Sequence, residues 1–232
     1  MWVVERALAA RNVNRAIVAT DDARIFDCVT SAGFEAVMTR ERHATGTDRI
    51  AEVARDLDAE IIVNVQGDEP LIEPETIDRA VSALINDREA EIATTCETID
   101  EIADVLSRAV VKVVVDGNGW ALNFSRSPIP FPNQAVERHG SLEAALECEP
   151  ALLSTFRKHT GLYVYRREFL LTFTSWPQSE AEASESLEQL RALERGVKIR
   201  VVAAKAPSIG VDTIEDLERV RSLIESKVKV AI

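Results

Sequence analysis

Apolar positions in the first thirteen residues fall on one stripe: Val3, Val4, Ala7, Leu8 and Ala10 lie together, with Glu5, Arg6 and Arg11 opposite. That period of about 3.6 predicts an opening helix. Residues 16–19 are a short apolar run closed by Thr20-Asp21-Asp22, which can cap a helix carried by Ile25, Val29 and Ala32 up to Gly33. The alternation continues with a strand over 35–38, a helix over 47–57, and a strand over 60–65 that is apolar enough to be buried on both faces. A helix over 74–85, a strand over 92–96 and a brief helix over 100–106 follow. Repeated strand and helix units of this length predict a parallel sheet with helices on both faces, whose ligands sit beyond the carboxyl ends of the strands.

The pattern then changes. Runs over 110–116 and 120–124 are separated by Gly117-Asn118-Gly119, which favours an antiparallel hairpin. A proline-rich loop, Ser127-Pro128-Ile129-Pro130-Phe131-Pro132, leads into a polar stretch over 133–154 that reads as a surface excursion with one short helix. A strand over 159–165, a helix over 185–194 stopped by Gly196, a strand over 198–203 and a closing helix over 213–226 complete the chain. The fold class is α/β: one domain over 1–232 with a Rossmann-like, mostly parallel sheet and a smaller antiparallel lobe at about 117–180.

Composition narrows the function. With 46% hydrophobic and 28% charged residues, the 232-residue chain is globular rather than disordered or fibrous. No apolar run reaches the ~18 residues of a membrane span, and the start lacks the basic and apolar parts of a signal peptide, so a cytoplasmic protein without a membrane partner is expected. A net charge of −12 argues against nucleic acid as a partner. An anionic substrate would need local arginines or a divalent cation to offset that field. Cys28, Cys96 and Cys148 have no spacing suited to zinc or a disulfide framework and are expected as reduced, mostly buried thiols.

Two turns at the predicted carboxyl edge carry candidate chemistry. Gln66-Gly67-Asp68-Glu69-Pro70 follows the buried strand, where Asp68 suits a hard divalent ion or, equally, a solvated turn. Ser208-Ile209-Gly210-Val211-Asp212-Thr213 opens the last helix, where Asp212 with Glu215 makes a capping box as well as a candidate ligand. Gly46-Thr47-Asp48-Arg49 starts a helix whose free amides and Arg49 favour an anion; Thr47 also serves as a plain cap. No P-loop, dinucleotide fingerprint or nucleophile elbow is present. His159 opens an apolar strand beside Arg157 and Lys158, compatible with either binding or structure, while His43 and His139 sit in polar loops.

Five blocks occur in an order shared with one family: Val63-Asn64-Val65-Gln66-Gly67-Asp68-Glu69-Pro70, Ala121-Leu122-Asn123-Phe124-Ser125-Arg126-Ser127-Pro128-Ile129-Pro130, His159-Thr160-Gly161-Leu162-Tyr163, Leu187-Glu188-Gln189-Leu190-Arg191 and Gly210-Val211-Asp212-Thr213. The chain resembles the 3-deoxy-manno-octulosonate (Kdo) cytidylyltransferases. The resemblance implies a homodimeric nucleotidyltransferase that joins CTP and Kdo into CMP-Kdo and pyrophosphate with Mg²⁺ for lipopolysaccharide assembly, the 117–180 lobe serving sugar binding and dimerisation. It implies that Asp68 and Asp212 are catalytic metal ligands, that Thr47, Arg49 and Gln66 face the nucleotide, and that Arg126, His159, Tyr163, Glu188 and Gln189 line the sugar pocket. Arg126 and His159 would then meet the sugar carboxylate.

Two departures qualify the resemblance. Members open with a strand and a loop of the type Ala-Arg-x-x-Ser-x-Arg-Leu-Pro-x-Lys, whereas this sequence enters at the first helix, so the sheet is expected to lack a central strand and the site much positive charge. Leu106-Ser107-Arg108 stands where members carry an Asn-Pro-Asn type of turn, a change without a physical account. The competing readings are a cytidylyltransferase for another acidic sugar and a non-catalytic homologue acting in binding or oligomerisation.

Overall fold

The computed structural model describes residues 1–211 and 213–230, with side chains through 224. Its strands are β1 (Ile17–Thr20), β2 (Glu35–Met38), β3 (Ile61–Asn64), β4 (Ile92–Thr98), β5 (Lys112–Val115), β6 (Ala121–Ser125), β7 (Arg157–Arg166) and β8 (Ile199–Ala203). Its helices are α1 (Trp2–Leu8), α2 (Ala23–Ser31), α3 (Gly46–Ala54), α4 (Pro74–Asn86), α5 (Ile102–Leu106), α6 (Asn133–His139), α7 (Leu142–Cys148), α8 (Arg167–Phe173), α9 (Glu180–Glu185), α10 (Gln189–Glu194) and α11 (Ile214–Val230). Local chemistry sets several starts. The Asp22 carboxylate accepts from Arg24 N–H to cap α2, the Thr45 hydroxyl accepts from Asp48 N–H to cap α3, and Pro74 takes the first turn of α4, where no amide is needed.

Six strands form one sheet in the order β6-β5-β7-β4-β8, with β3 beside β7. β7 is long enough to serve two neighbours on one edge. Its C-terminal half pairs with β3 from Ile61↔Arg166 to Asn64↔Tyr163, while Lys158 nearer its start meets Lys112 of β5. β4 lines the other edge of β7 and runs parallel to β8. β7 and β6 are reversed relative to β3, β4, β5 and β8, so the α/β sheet is mixed, with β7 at its centre and β6 at one edge. β1 and β2 form a separate parallel pair.

Alternation along β4 and β7 builds two cores. Ile92 and Tyr165 face one layer with Ala51, Leu170, Phe173 and Leu190; their neighbours Ala93 and Val164 face the other, with Ile77, Ala80 and Leu84 of α4. A third cluster corrects the expectation of a surface excursion over 133–154. Two helices and a 3₁₀ turn (Pro150–Thr155) fold there, and Leu146 packs with Ile99, Val105 and Phe156. Apolar positions that look sparse in a polar stretch lie on one side once the segment is helical.

Two further differences matter. The helix expected over 185–194 is broken at Ser186, whose φ of 52° turns the chain between α9 and α10 and seats Leu187 in the core. The thiols are not mostly buried: Cys28 and Cys148 are exposed and only Cys96 is enclosed by the sheet. The N-terminus of α11 is capped reciprocally by Thr213 and Asp216, at 3.1 Å in each direction; the capping box expected of Asp212 with Glu215 falls on a residue outside the described ones. Among the described residues, no helix is long and apolar enough to cross a membrane.

Candidate active site

The site forms where β3 ends. Asn64, 2% exposed, accepts at 3.1 Å from the Gln66 amide, which turns Gln66 across the sheet edge. Two glycines make room for that side chain. A Cβ on Gly161 would lie 3.5 Å from Gln66 Cγ, and one on Gly46 would lie 3.8 Å from Gln66 Oε1. Gln66 therefore joins the N-terminus of α3 to β7. Opposite Gly161 the β4–β7 register shifts between Thr94 and Thr95, a bulge of the kind that re-aims side chains beside active sites.

Beyond Gln66 the chain turns through Asp68, which is exposed and whose carboxylate makes no hydrogen bond or ion pair among the described residues. Its carbonyl accepts at 2.8 Å from Val211 N–H. This bond brings the two acidic motifs together across the fold. Asp212 itself lies outside the described residues. Ser208 N–H donates to Glu97 Oε1 at 2.9 Å, and the Ser208 hydroxyl donates to the Glu69 carboxylate. Burial pushes the Glu97 carboxyl above its ordinary value, opposed by the Ser208 amide and by Lys158. No group of three or more His, Cys, Asp or Glu side chains suited to a metal occurs among the described residues. An exposed, unpartnered carboxylate beside a second motif fits Mg²⁺, which takes one or two carboxylates and completes its shell with water and phosphate oxygens.

On the other side of Gln66 the polar groups are enclosed. Thr47 is buried and donates at 2.6 Å to Glu188 Oε2, while Thr45 and Arg191 donate to Glu188 Oε1 at 3.1 and 2.7 Å. Arg191 also donates to the Trp176 carbonyl at 2.8 Å, lies 3.2 Å from Glu182 and stacks 4.3 Å over Phe173. Burial pushes the Glu188 carboxyl up, against the pull of Thr47, Arg191 and Thr45. The Tyr163 and Tyr165 phenols are raised by the same enclosure, with the Glu188 charge adding to it. Next to Glu188 in the chain, the amide nitrogen of Gln189 is buried with no partner among the described residues.

His159 packs against Phe124 and Tyr163, at 5.0 and 5.3 Å between rings, and desolvation pushes its pKa down to about 3. Thr94 Oγ1 donates to the Leu162 carbonyl at 2.7 Å, so its 2.9 Å contact with His159 Nε2 assigns the proton to Nε2 and leaves Nδ1 as an acceptor. His159 is therefore neutral at neutral pH. Arg126 is half-buried and spans the break at Ser186, donating to the Glu185 carbonyl at 2.7 Å and to Arg108 at 3.0 Å. The Glu185 carboxylate in turn accepts from Ser125 Oγ and Arg126 N–H. Lys112, fully buried, donates to the carbonyls of Ser107, Val110 and Arg126. Arg49 sits apart, donating to Asp21 and Thr39 at the ends of β1 and β2.

The structure thus gathers Gln66, Thr47, Tyr163, Glu188, Gln189 and His159 around β7, sets Asp68 beside the Val211 turn, holds Arg126 against 185–186, and leaves Arg49 on the β1–β2 pair. Sequence reasoning missed Thr45 and Glu97, and gave no role to Arg191 and Ser208 although both stand in motifs it singled out. Thr45-x-x-Asp48 carries a capping signal, but partners separated by a hundred residues leave no local pattern.

Residues 1–199 match the cytidylyltransferase family. The 3-deoxy-manno-octulosonate cytidylyltransferase of Trichlorobacter lovleyi is 50% identical over 222 residues, covering 94% of this chain and 85% of that protein. The enzyme of the same name from Pseudomonas fluorescens is 48% identical, covering 97% and 87%. A solved CMP:2-keto-3-deoxy-manno-octonic acid synthetase complexed with CTP superposes with a TM-score of 0.86 at 39% identity, over 97% of this chain and 87% of that one. At 13% identity and a TM-score of 0.57, a 4-diphosphocytidyl-2C-methyl-D-erythritol synthase from Anaerococcus prevotii shares the fold, over 97% and 84% of the two chains.

Proposed function

The chain belongs to the cytidylyltransferase family, and we propose that it transfers CMP from CTP to Kdo, releasing pyrophosphate, by attack of the sugar's anomeric hydroxyl on the α-phosphorus. The observation that carries the site assignment is the 2.8 Å bond from Val211 N–H to the Asp68 carbonyl, which sets the two acidic motifs side by side at the sheet edge. Mg²⁺ bound there would offset the phosphate charge that a chain of net charge −12 otherwise repels. Asp68 and Asp212 are the residues that would hold it.

Gln66 and the N-terminus of α3 orient the nucleotide, Thr47 acting through Glu188 and Arg49 through its hold on Asp21 and Thr39. The unpartnered Gln189 amide and the free Nδ1 of His159 supply a donor and an acceptor for sugar hydroxyls. Tyr163 keeps its phenolic proton and donates. Arg126 meets the sugar carboxylate and fixes the turn that precedes Glu188. We place the enzyme in the cytoplasm, where CTP is made. We also propose a homodimer, supported by Leu122 and Phe131, which are 61% and 54% exposed.

Pyrophosphate release by the purified chain tests this reading. Release that requires CTP, Kdo and Mg²⁺ together is expected; a folded chain that releases none under those conditions would overturn it.

A further inference from the structure

Residues 208–211 link β8 to α11 without belonging to a strand or helix, yet three donors fix them. Ser208 N–H is held by Glu97 Oε1 at 2.9 Å, the Ser208 hydroxyl by the Glu69 carboxylate, and Val211 N–H by the Asp68 carbonyl at 2.8 Å. Two acceptors come from the turn that carries the exposed Asp68, and the third from β4, the parallel neighbour of β8. Lys158 opposes Glu97, but Glu69 and Asp104 act on it as like charges, so a carboxylate there is costly unless its oxygens are used. Ser208 uses one of them. The segment is therefore tied down by charge-assisted hydrogen bonds at the point where the chain passes, covalently, from Val211 to Asp212.

We propose that Glu97 and Glu69 are positioning residues that strap the 208–211 segment to the Asp68 turn and so set the cation affinity of the site. They do not touch the cation themselves; they act through Ser208. This rests on the cation reading above. Hydrogen bonds behind metal ligands are commonly worth 10- to 100-fold in affinity, and a strap anchored at three points belongs in that class.

The test is Mn²⁺ binding to the full chain with CTP present, followed by electron paramagnetic resonance, alongside amide exchange at Ser208 and Val211. Glu97→Ala is expected to weaken Mn²⁺ binding about tenfold and to speed exchange at Ser208, with KM for Kdo unchanged. Glu97→Gln keeps an oxygen for the same N–H and should restore the wild-type affinity. Ser208→Ala, which loses only the Glu69 contact, should give a smaller loss in the same direction, and it decides the matter if Glu97→Ala does not fold. Wild-type affinity in Glu97→Ala, an equal loss in Glu97→Gln, or unprotected Ser208 and Val211 amides in the wild type would overturn the strap. If the wild type binds no Mn²⁺ and Asp68→Asn is indistinguishable from it, the cation reading fails first and takes this inference with it.

Discussion

The two halves of the site are built on opposite principles. Around Glu188 every oxygen is spoken for: Thr45, Thr47 and Arg191 all donate to it, Arg191 is 5% exposed, and aromatic rings close the cluster. Around Asp68 the side chain is left to solvent, and order comes from the backbone and from Ser208. A pocket that distinguishes hydroxyls benefits from groups frozen before the substrate arrives, because their ordering cost is already met by folding. A cation site needs the reverse, a carboxylate free to receive an ion that brings its own water and phosphate oxygens. Substitutions on the enclosed side should therefore damage stability, and those on the open side turnover.

The sharpest contrast is between Asp68→Asn and Arg191→Ala. Asp68→Asn is expected to lower turnover about 10³-fold, as removal of a group that stabilises transition-state charge does, while the thermal midpoint stays within about 2 °C. Arg191→Ala leaves Glu182 and Glu188 enclosed without their cation and should cost about 3–5 kcal/mol in urea denaturation. If Asp68→Asn unfolds the chain, or Arg191→Ala leaves its stability intact, the division between the two halves is wrong.

That division also marks what the sequence could show. The Asp68 turn was legible because it sits directly after a mostly apolar strand, where polar residues resume at a sheet edge; the close approaches, at Gly161 and Gly46, were not. The strand and helix alternation up to residue 106 was legible for the same reason: each element carries its own period. The interior of 133–154 was not, since the stripe of Ala145 and Leu146 is narrow and its partners Ile99 and Phe156 are far away in the chain. Nor was the break at Ser186, whose φ of 52° no local pattern announces and beyond which Leu187 enters the core. Arg191 reads as one more charge on a helix. Only the fold shows that it is the counterion of the enclosed half.

His159 extends the comparison to pH. Its folded pKa of about 3 lies below the ~6.5 of an unfolded histidine, so between these values the unfolded chain binds more protons. The stability tied to neutral His159 is full above about pH 6.5 and is lost as the pH falls toward 3, with a slope of at most about 1.4 kcal/mol per pH unit. Urea midpoints measured from pH 7 to 4 should fall more steeply in the wild type than in His159→Gln. Equal slopes would mean that the ring is solvated and charged, and would return it to the candidates for pairing with a carboxylate.

Thr47→Val gives the smallest effect and separates two roles for one residue. The hydroxyl donates at 2.6 Å to Glu188 Oε2, on the enclosed side, although the residue lies in the first turn of α3, which the proposed function turns toward the nucleotide. Valine keeps the volume and removes the donor, leaving an acceptor of Glu188 unsatisfied at a cost of about 1–3 kcal/mol. Because Thr45 and Arg191 still hold Oε1, Glu188 should remain in place but with one oxygen released. The expected kinetic result is a larger rise in KM for Kdo than for CTP. A rise confined to CTP would show that the hydroxyl turns to the nucleotide on binding, and that the boundary between the halves passes through α3 rather than beside it.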